Sequence, residues 1–369
     1  MQKILFIPVL LFIWLNSTEV HAQWHETLFD LSDNFDEPGT AFIRVDNMNH
    51  FYNMEYYNPM AYSYTLAGYH IKPELMYQIN NTVRVSAGIY VFNMLGREEL
   101  QMIRPVYTLD YRPFDFLQCR LGNLKGGHSH ILPEQIYAYK QGLEQYNEEG
   151  LQVILHNDEM SADVWLDWRY LSIPNDNQPE RVFGGYNIGF EDNINEKSTI
   201  GIFTQMVAWH VGGQALSVDR KMQTILNFTG GFNFSYQPDD TWSFGLKEYF
   251  AHYENVKSQD ILPYKRGYGL TSETELAWNF AALRAGYWYA NRFYAPLGNH
   301  LFSCISEKSF HRMKQHRHVL YAHIKAEQAF MEGLSMGARA GVYAGLDLNS
   351  TDFYIALLIR FNRDFFITK

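Results

Sequence analysis

Two-residue alternation of apolar and polar side chains constrains this chain more than any other feature. Over residues 334–347 one parity carries Leu334, Met336, Ala338, Ala340, Val342, Ala344 and Leu346, and the other carries Ser335, Gly337, Arg339, Gly341, Tyr343, Gly345 and Asp347. Successive side chains of a strand point to opposite faces, so a segment of this kind is a strand whose two faces meet different solvents. Residues 82–92 separate in the same way, with Val83, Val85, Ala87, Ile89 and Val91 against Arg84, Ser86, Gly88, Tyr90 and Phe92, and residues 222–237 repeat the pattern. A soluble antiparallel sandwich also alternates, but its strands run about five or six residues. These run about ten to fifteen, the length that crosses a membrane at roughly 45°.

Composition agrees. The chain is 47% hydrophobic and 16% aromatic, yet its mean hydropathy is -0.29. Disorder requires few aromatics, and a helical membrane bundle requires repeated runs of about 20 apolar residues; the chain has neither. A net charge of -10 argues against a nucleic-acid partner, which needs a concentrated basic face. The one continuous apolar run follows Lys3, spans residues 4–15 and leads to Val20-His21-Ala22, which reads as a signal peptide over residues 1–22 ahead of a single barrel domain over 23–369. Cys119 and Cys304 are too few for a disulfide scaffold, and the barrel's height should hold them apart.

Connections alternate in length. Short ones fall near residues 80–81, 113–115, 158–160, 192–197, 238–240, 279–281 and 331–333; longer ones fall near 93–103, 124–149, 172–183, 211–221, 257–266 and 295–315. Short periplasmic turns and longer outer loops are the layout of an outer-membrane barrel. Counting from a first strand at 41–46 to a last at 351–365, with 47–64 read as the first outer loop, predicts an all-β, antiparallel transmembrane barrel of about 16 strands, within a range of about 14 to 18. Tyr77, Tyr111, Tyr236, Trp242 and Trp278 take the outward parity close to short turns, where an interfacial aromatic girdle belongs.

The inward parity holds ionisable groups of both signs: Lys72, Glu74, Arg84, Asp110, Arg112, Arg120, Asp163, Asp167, Arg169, Glu273, Glu275, Arg284, Arg292, Lys325, Arg339 and Arg360. Each would cost roughly 2–4 kcal/mol in hydrocarbon near the midplane, so the lumen is expected to be wet or ion-paired. The longest loop, 124–149, carries His128, His130, Glu134 and Glu144 and is expected to narrow the channel, or else to be an ordinary solvated loop. Two histidines two apart without a third ligand at useful spacing do not make a metal site, and no cofactor is expected. His311, His316 and His318 with Arg312, Lys314 and Arg317 form a basic outer stretch that either meets lipopolysaccharide phosphates or is a solvated loop end. Barrel hydrolases set Ser and His on the outward wall beside a carboxylate; no such set stands out, so the chain is not expected to be an enzyme.

Particular stretches resemble a family of porin-like outer-membrane proteins of the Bacteroidota. They are Asn53-Met54-Glu55-Tyr56, Tyr64-Thr65-Leu66-Ala67-Gly68, Pro73-Glu74-Leu75-Met76-Tyr77, Glu149-Gly150-Leu151-Gln152, Asp163-Val164-Trp165-Leu166-Asp167-Trp168 and His210-Val211-Gly212-Gly213-Gln214. The resemblance implies a barrel in the outer membrane of a Gram-negative bacterium, in contact with lipid and lipopolysaccharide, and carries over no functional residue. The expected activity is passive diffusion of small hydrophilic solutes through a charged lumen. The alternative is a closed barrel serving as an accessory or scaffold subunit of an outer-membrane complex, and self-association is compatible with either.

Overall fold

The computed structural model describes Leu28, Phe35 and residues 37–213, 222–258 and 262–368; the expected signal peptide lies outside these. Sixteen strands close into one antiparallel barrel, each paired with its neighbours in sequence and the first with the last. They are β1 (Ala41–Glu55), β2 (Tyr64–Asn80), β3 (Val83–Met94), β4 (Met102–Phe114), β5 (Leu117–Asn123), β6 (Glu149–His156), β7 (Met160–Tyr170) and β8 (Glu180–Asn195) in the first half. The second half is β9 (Ser198–Gly212), β10 (Gln223–Tyr236), β11 (Trp242–Ser258), β12 (Arg266–Trp278), β13 (Ala281–Asn291), β14 (His316–Met331), β15 (Leu334–Gly345) and β16 (Ser350–Thr368). Closure leaves no edge strand, so the wall pairs its backbone groups from strand to strand, as a span through hydrocarbon requires.

Outward positions are aliphatic and aromatic, as the alternation requires. Leu320, Ile324, Met336, Val342, Ile355, Leu357 and Ile359 are exposed on the lipid side. Tyr77, Tyr111, Tyr236, Trp242 and Trp278 are exposed near the short turns, and the last two stack across β11 and β12 with ring centroids 5.9 Å apart. Ile324 lies midway along β14 on this face. Ile324→Arg is expected to lower the free energy of unfolding in vesicles by about 2–4 kcal/mol. The inward substitution Ser335→Arg should cost far less, and equal losses in denaturant titration would contradict the assigned parity.

Two elements depart from the expected layout. Residues 47–55 belong to β1 and not to the first outer loop, which shrinks to 56–63. Here the polarity is inverted: Met48, Tyr52 and Met54 point inward and are buried, whereas Asn47, Asn49, Asn53 and Glu55 take the lipid-side parity. An apolar-outward search passes over such a segment. The second departure is the lumen, whose outer half is an apolar core. Tyr52, Leu66, Phe183, Trp288 and Tyr343 of the wall pack there against Leu124, Ile136, Leu143, Phe293 and Phe302 from the loops at 124–148 and 292–315. Gly269 of β12 makes room for this packing, since a Cβ there would stand 2.0 Å from the Trp288 ring, whose Nε1 donates to the Phe302 carbonyl at 2.9 Å.

Candidate functional site

The loop at 124–148, with a 3₁₀ turn at Gly127–His130 and helix α1 at Tyr139–Glu144, crosses the lumen and touches walls on opposite sides. Gln205 of β9 donates to the Ile131 carbonyl at 2.9 Å, Tyr249 of β11 to Gln135 at 2.7 Å, and Tyr343 of β15 to Glu134 at 2.8 Å. Tyr64 of β2 donates to Glu144 at 3.0 Å, and Tyr146 to Asp46 of β1 at 2.7 Å. His130 fastens it deepest. Its Nδ1 lies 2.6 Å from Asp163 of β7, its Nε2 lies 2.9 Å from Glu148, and its ring stacks on Trp165 with centroids 3.6 Å apart. Burial alone would push this imidazole down, but the Asp163 and Glu148 carboxylates outweigh it and hold it up at about 10, so it is a cation at neutral pH. His128 packs beside Tyr139, and Gly142 is small because a Cβ would strike its ring. Burial raises the Glu134 carboxyl, opposed by hydrogen bonds from Asn299 and Tyr343.

The inward charges are largely consumed by one another. Asp110 takes Arg84 at 3.2 Å and Arg120 at 3.1 Å; Arg284 meets Glu273 at 3.3 Å and Glu275 at 3.2 Å; Arg169 reaches Asp167 at 3.2 Å. Lys72 lies 3.6 Å from Glu74, Lys325 3.8 Å from Glu327, and Arg360 2.9 Å from Asp46. Arg339 sits over the Tyr139 ring and Arg112 over the Phe35 ring, and Arg360 also donates to the Leu28 carbonyl. Arg292 departs from expectation: it follows the end of β13 in a left-handed turn (φ 54°), off the wall, with its guanidinium over Tyr264. Below the loop a cavity of about 240 Å³ persists, lined among others by Glu134, Lys247, Glu273, Arg284, His323 and Arg339.

A second cluster lies outside the barrel, on the outer ends of β9 to β14. His252 and Glu254 are two apart on β11 and so share the outward face, and register brings Arg266 of β12 opposite Glu254. His252 Nε2 lies 3.3 Å from Glu254 Oε2, and Arg266 Nε donates to Glu254 Oε1 at 2.9 Å. In the tautomer whose Nε2–H is donated to the carboxylate, Nδ1 carries the ring's lone pair. Register also sets His252 against Tyr268, ten residues above Trp278 on β12. At about 3.3 Å per residue and a tilt near 45° this is roughly 23 Å above the periplasmic girdle, the upper boundary of the apolar band.

The outer parts of β9, β10, β13 and β14 carry further outward pairs. His210 Nδ1 lies 2.9 Å from Thr224 Oγ1, Tyr287 pairs with His318 at 2.7 Å and Tyr289 with His316 at 3.1 Å. Lys257, Lys265 and Arg266 are exposed along this rim. Of the basic stretch expected at 311–318, His316 and His318 join the outward belt, His311 and Arg312 are exposed and Lys314 is half-buried. Arg317 turns inward to Asp347 at 2.6 Å and is spent there. The residue types were visible in sequence, and a His-x-Glu on one parity near a strand's outer end was the available signal. Arg266 could be added only through the hairpin register.

Solved outer-membrane proteins share this architecture. A loop-deletion form of OmpT, an outer membrane protein of Vibrio cholerae, is 11% identical with a TM-score of 0.52, over 89% of this chain and 100% of that one. OprD of Pseudomonas aeruginosa is 9% identical with a TM-score of 0.51, over 92% and 99%. At such identity the likeness concerns the fold, a closed porin-like barrel, and supports an outer-membrane location. No curated protein matches the sequence. A family model described as lipid A 3′-O-deacylase-type matches residues 34–369. That family is named for an enzyme activity, which overturns the expectation of a non-enzyme: the expectation rested on a Ser, His and carboxylate set standing out along the sequence, where contacts made across strands, such as Arg266 to Glu254, do not show. The match spans nearly the whole chain, which therefore belongs to the lipid A 3′-O-deacylase-type family.

Proposed function

We propose that the protein is an outer-membrane hydrolase that removes an ester-linked acyl chain from lipid A, working on the outward wall at the level of His252. The observation that carries this reading is the His252, Glu254 and Arg266 constellation at the upper edge of the apolar band, where the ester bonds of an outer-leaflet lipid lie. Glu254 orients the imidazole and stabilises its protonated form, so His252 Nδ1 can take a proton from water as the water oxygen attacks the acyl carbon. The hydroxyl ends on the released fatty acid and the proton passes to the sugar oxygen, so atoms balance. Lys257, Lys265 and Arg266 supply positive charge for the substrate's phosphates, the role the basic outer stretch suggested for itself.

The test is expression in a Gram-negative host that retains a full set of acyl chains, with mass spectrometry of its lipid A. The expected product lacks one ester-linked chain, and in heavy-oxygen water the label enters the released fatty acid. Unaltered lipid A with the protein folded in the outer membrane would refute the reading. Passive diffusion of small hydrophilic solutes draws its support from the charged cavity of about 240 Å³. Single-channel steps in a planar bilayer, unaffected by His252→Ala, would establish it as a separate property.

A further inference from the structure

The inverted stretch of β1 places amides where hydrocarbon should be. Asn47 and Asn49 take the outward parity, with Asn47 in register with Ile71 and Phe361 and Asn49 with Tyr69 and Ile359. Tyr69 lies eight residues above the girdle residue Tyr77 on β2, which sets Asn49 roughly 19 Å above that girdle, within the apolar band of about 25 Å. Beside them Phe51, Ile71, Ile355, Leu357 and Ile359 are exposed, with Asn53 and Glu55 farther up the same face of β1. Asn47 Nδ2 donates to the His70 carbonyl at 2.8 Å, and Asn49 Nδ2 donates to Asn47 Oδ1 at 2.7 Å. This leaves the Asn49 carbonyl oxygen and its second N–H hydrogen facing lipid. Water cannot satisfy them there, and a polar group unpaired in hydrocarbon is strongly disfavoured.

We propose that this face is covered by a second copy of the chain. A membrane sets all copies the same way up, so a two-fold axis relating them lies along its normal and brings each residue to its own image at equal depth. An amide carries a donor and an acceptor and therefore pairs with its image, which a carboxylate or ammonium cannot do. Each β1 strand is tilted by roughly 45°, so the two cross rather than run side by side. Only residues near the crossing meet, and Glu55, farther up β1, is carried away from its image. The apolar residues around the amides then pack as the rim of the contact. The surface is six strands around the barrel from β11, so pairing leaves the outward His252 cluster open to lipid.

The test uses full-length protein in native outer-membrane vesicles, with Cys119→Ser to remove the lipid-facing thiol. Asn49→Cys treated with a short bismaleimide is expected to yield a covalent dimer. Leu270→Cys, at the same depth on β12, is expected to yield none. Asn47→Leu with Asn49→Leu should remain folded, judged by unchanged heat-modifiable migration, but should run as a monomer by light scattering where the unsubstituted chain runs as a dimer. Equal linking at positions 49 and 270, an adduct with a different protein, or a dimer that persists in the double leucine variant would each overturn the proposal. None of these readouts depends on deacylation, so this proposal and the proposed activity fail separately.

Discussion

Replacing His252 by Ala is expected to abolish lipid A deacylation, with a fall of about 10²–10⁴-fold in rate, while the barrel still folds and inserts. Glu254→Gln should cost nearly as much, because Gln can hold the ring at Nε2 but cannot balance the imidazolium that forms as the proton is taken. Arg266→Ala tests the other contact. It frees Glu254 Oε1 from a guanidinium 2.9 Å away and removes a cation from the rim, so it should weaken substrate binding more than the chemical step. His252 is on the lipid side and has no packing role in the lumen, so its loss leaves folding intact, as heat-modifiable migration would verify. Deacylation at the unsubstituted rate by folded His252→Ala protein would remove His252 from the chemistry. Comparison with Thr224→Ala would then turn to the hydroxyl 2.9 Å from His210.

Most of the wall was legible because a barrel strand in lipid obeys one rule. A mostly apolar outward parity, with Tyr77, Tyr111, Tyr236, Trp242 and Trp278 near short turns, marks the register, and 82–92 and 334–347 follow it most cleanly. Sequence reading failed where a second partner changed the rule. Tyr52, Trp288 and Tyr343 point inward although apolar, because they face loop residues and not water. Asn47 and Asn49 point outward although polar. The longest loop was expected to narrow the lumen, and it does enter, but its anchoring was not foreseen: His130 was considered as a metal ligand, whereas both ring nitrogens are taken by carboxylates. The outward cluster was missed because its one local signal, His252 and Glu254 two apart on one parity, is too short to mark a site by itself. Only cross-strand register brings Arg266 to Glu254.

His130→Leu is expected to lower the free energy of unfolding by about 3–5 kcal/mol, the range for removing one partner of a buried ionic group. Asp163 and Glu148 would be left facing each other across the gap, with Gln152 donating to Asp163 at 2.9 Å and Tyr137 to Glu148 at 3.4 Å as their remaining neutral support. Arg169 stays 4.0 Å from Glu148, so most of the loss is the uncompensated charge of Asp163 and not the missing attraction. The triple variant His130→Leu, Glu148→Gln, Asp163→Asn should therefore recover much of the stability, which a simple cavity effect would not allow. The pH dependence follows from the same cation. Its folded pKa, about 10, is raised above its ordinary 6.5, so its stabilisation is complete below about 6.5 and is lost as pH rises through about 10. Denaturant titrations of the unsubstituted chain in vesicles should show a decline across that window, and His130→Leu should show a smaller one. A variant as stable as the unsubstituted chain, or with an identical alkaline profile, would show that the loop is held in the lumen by its apolar contacts alone.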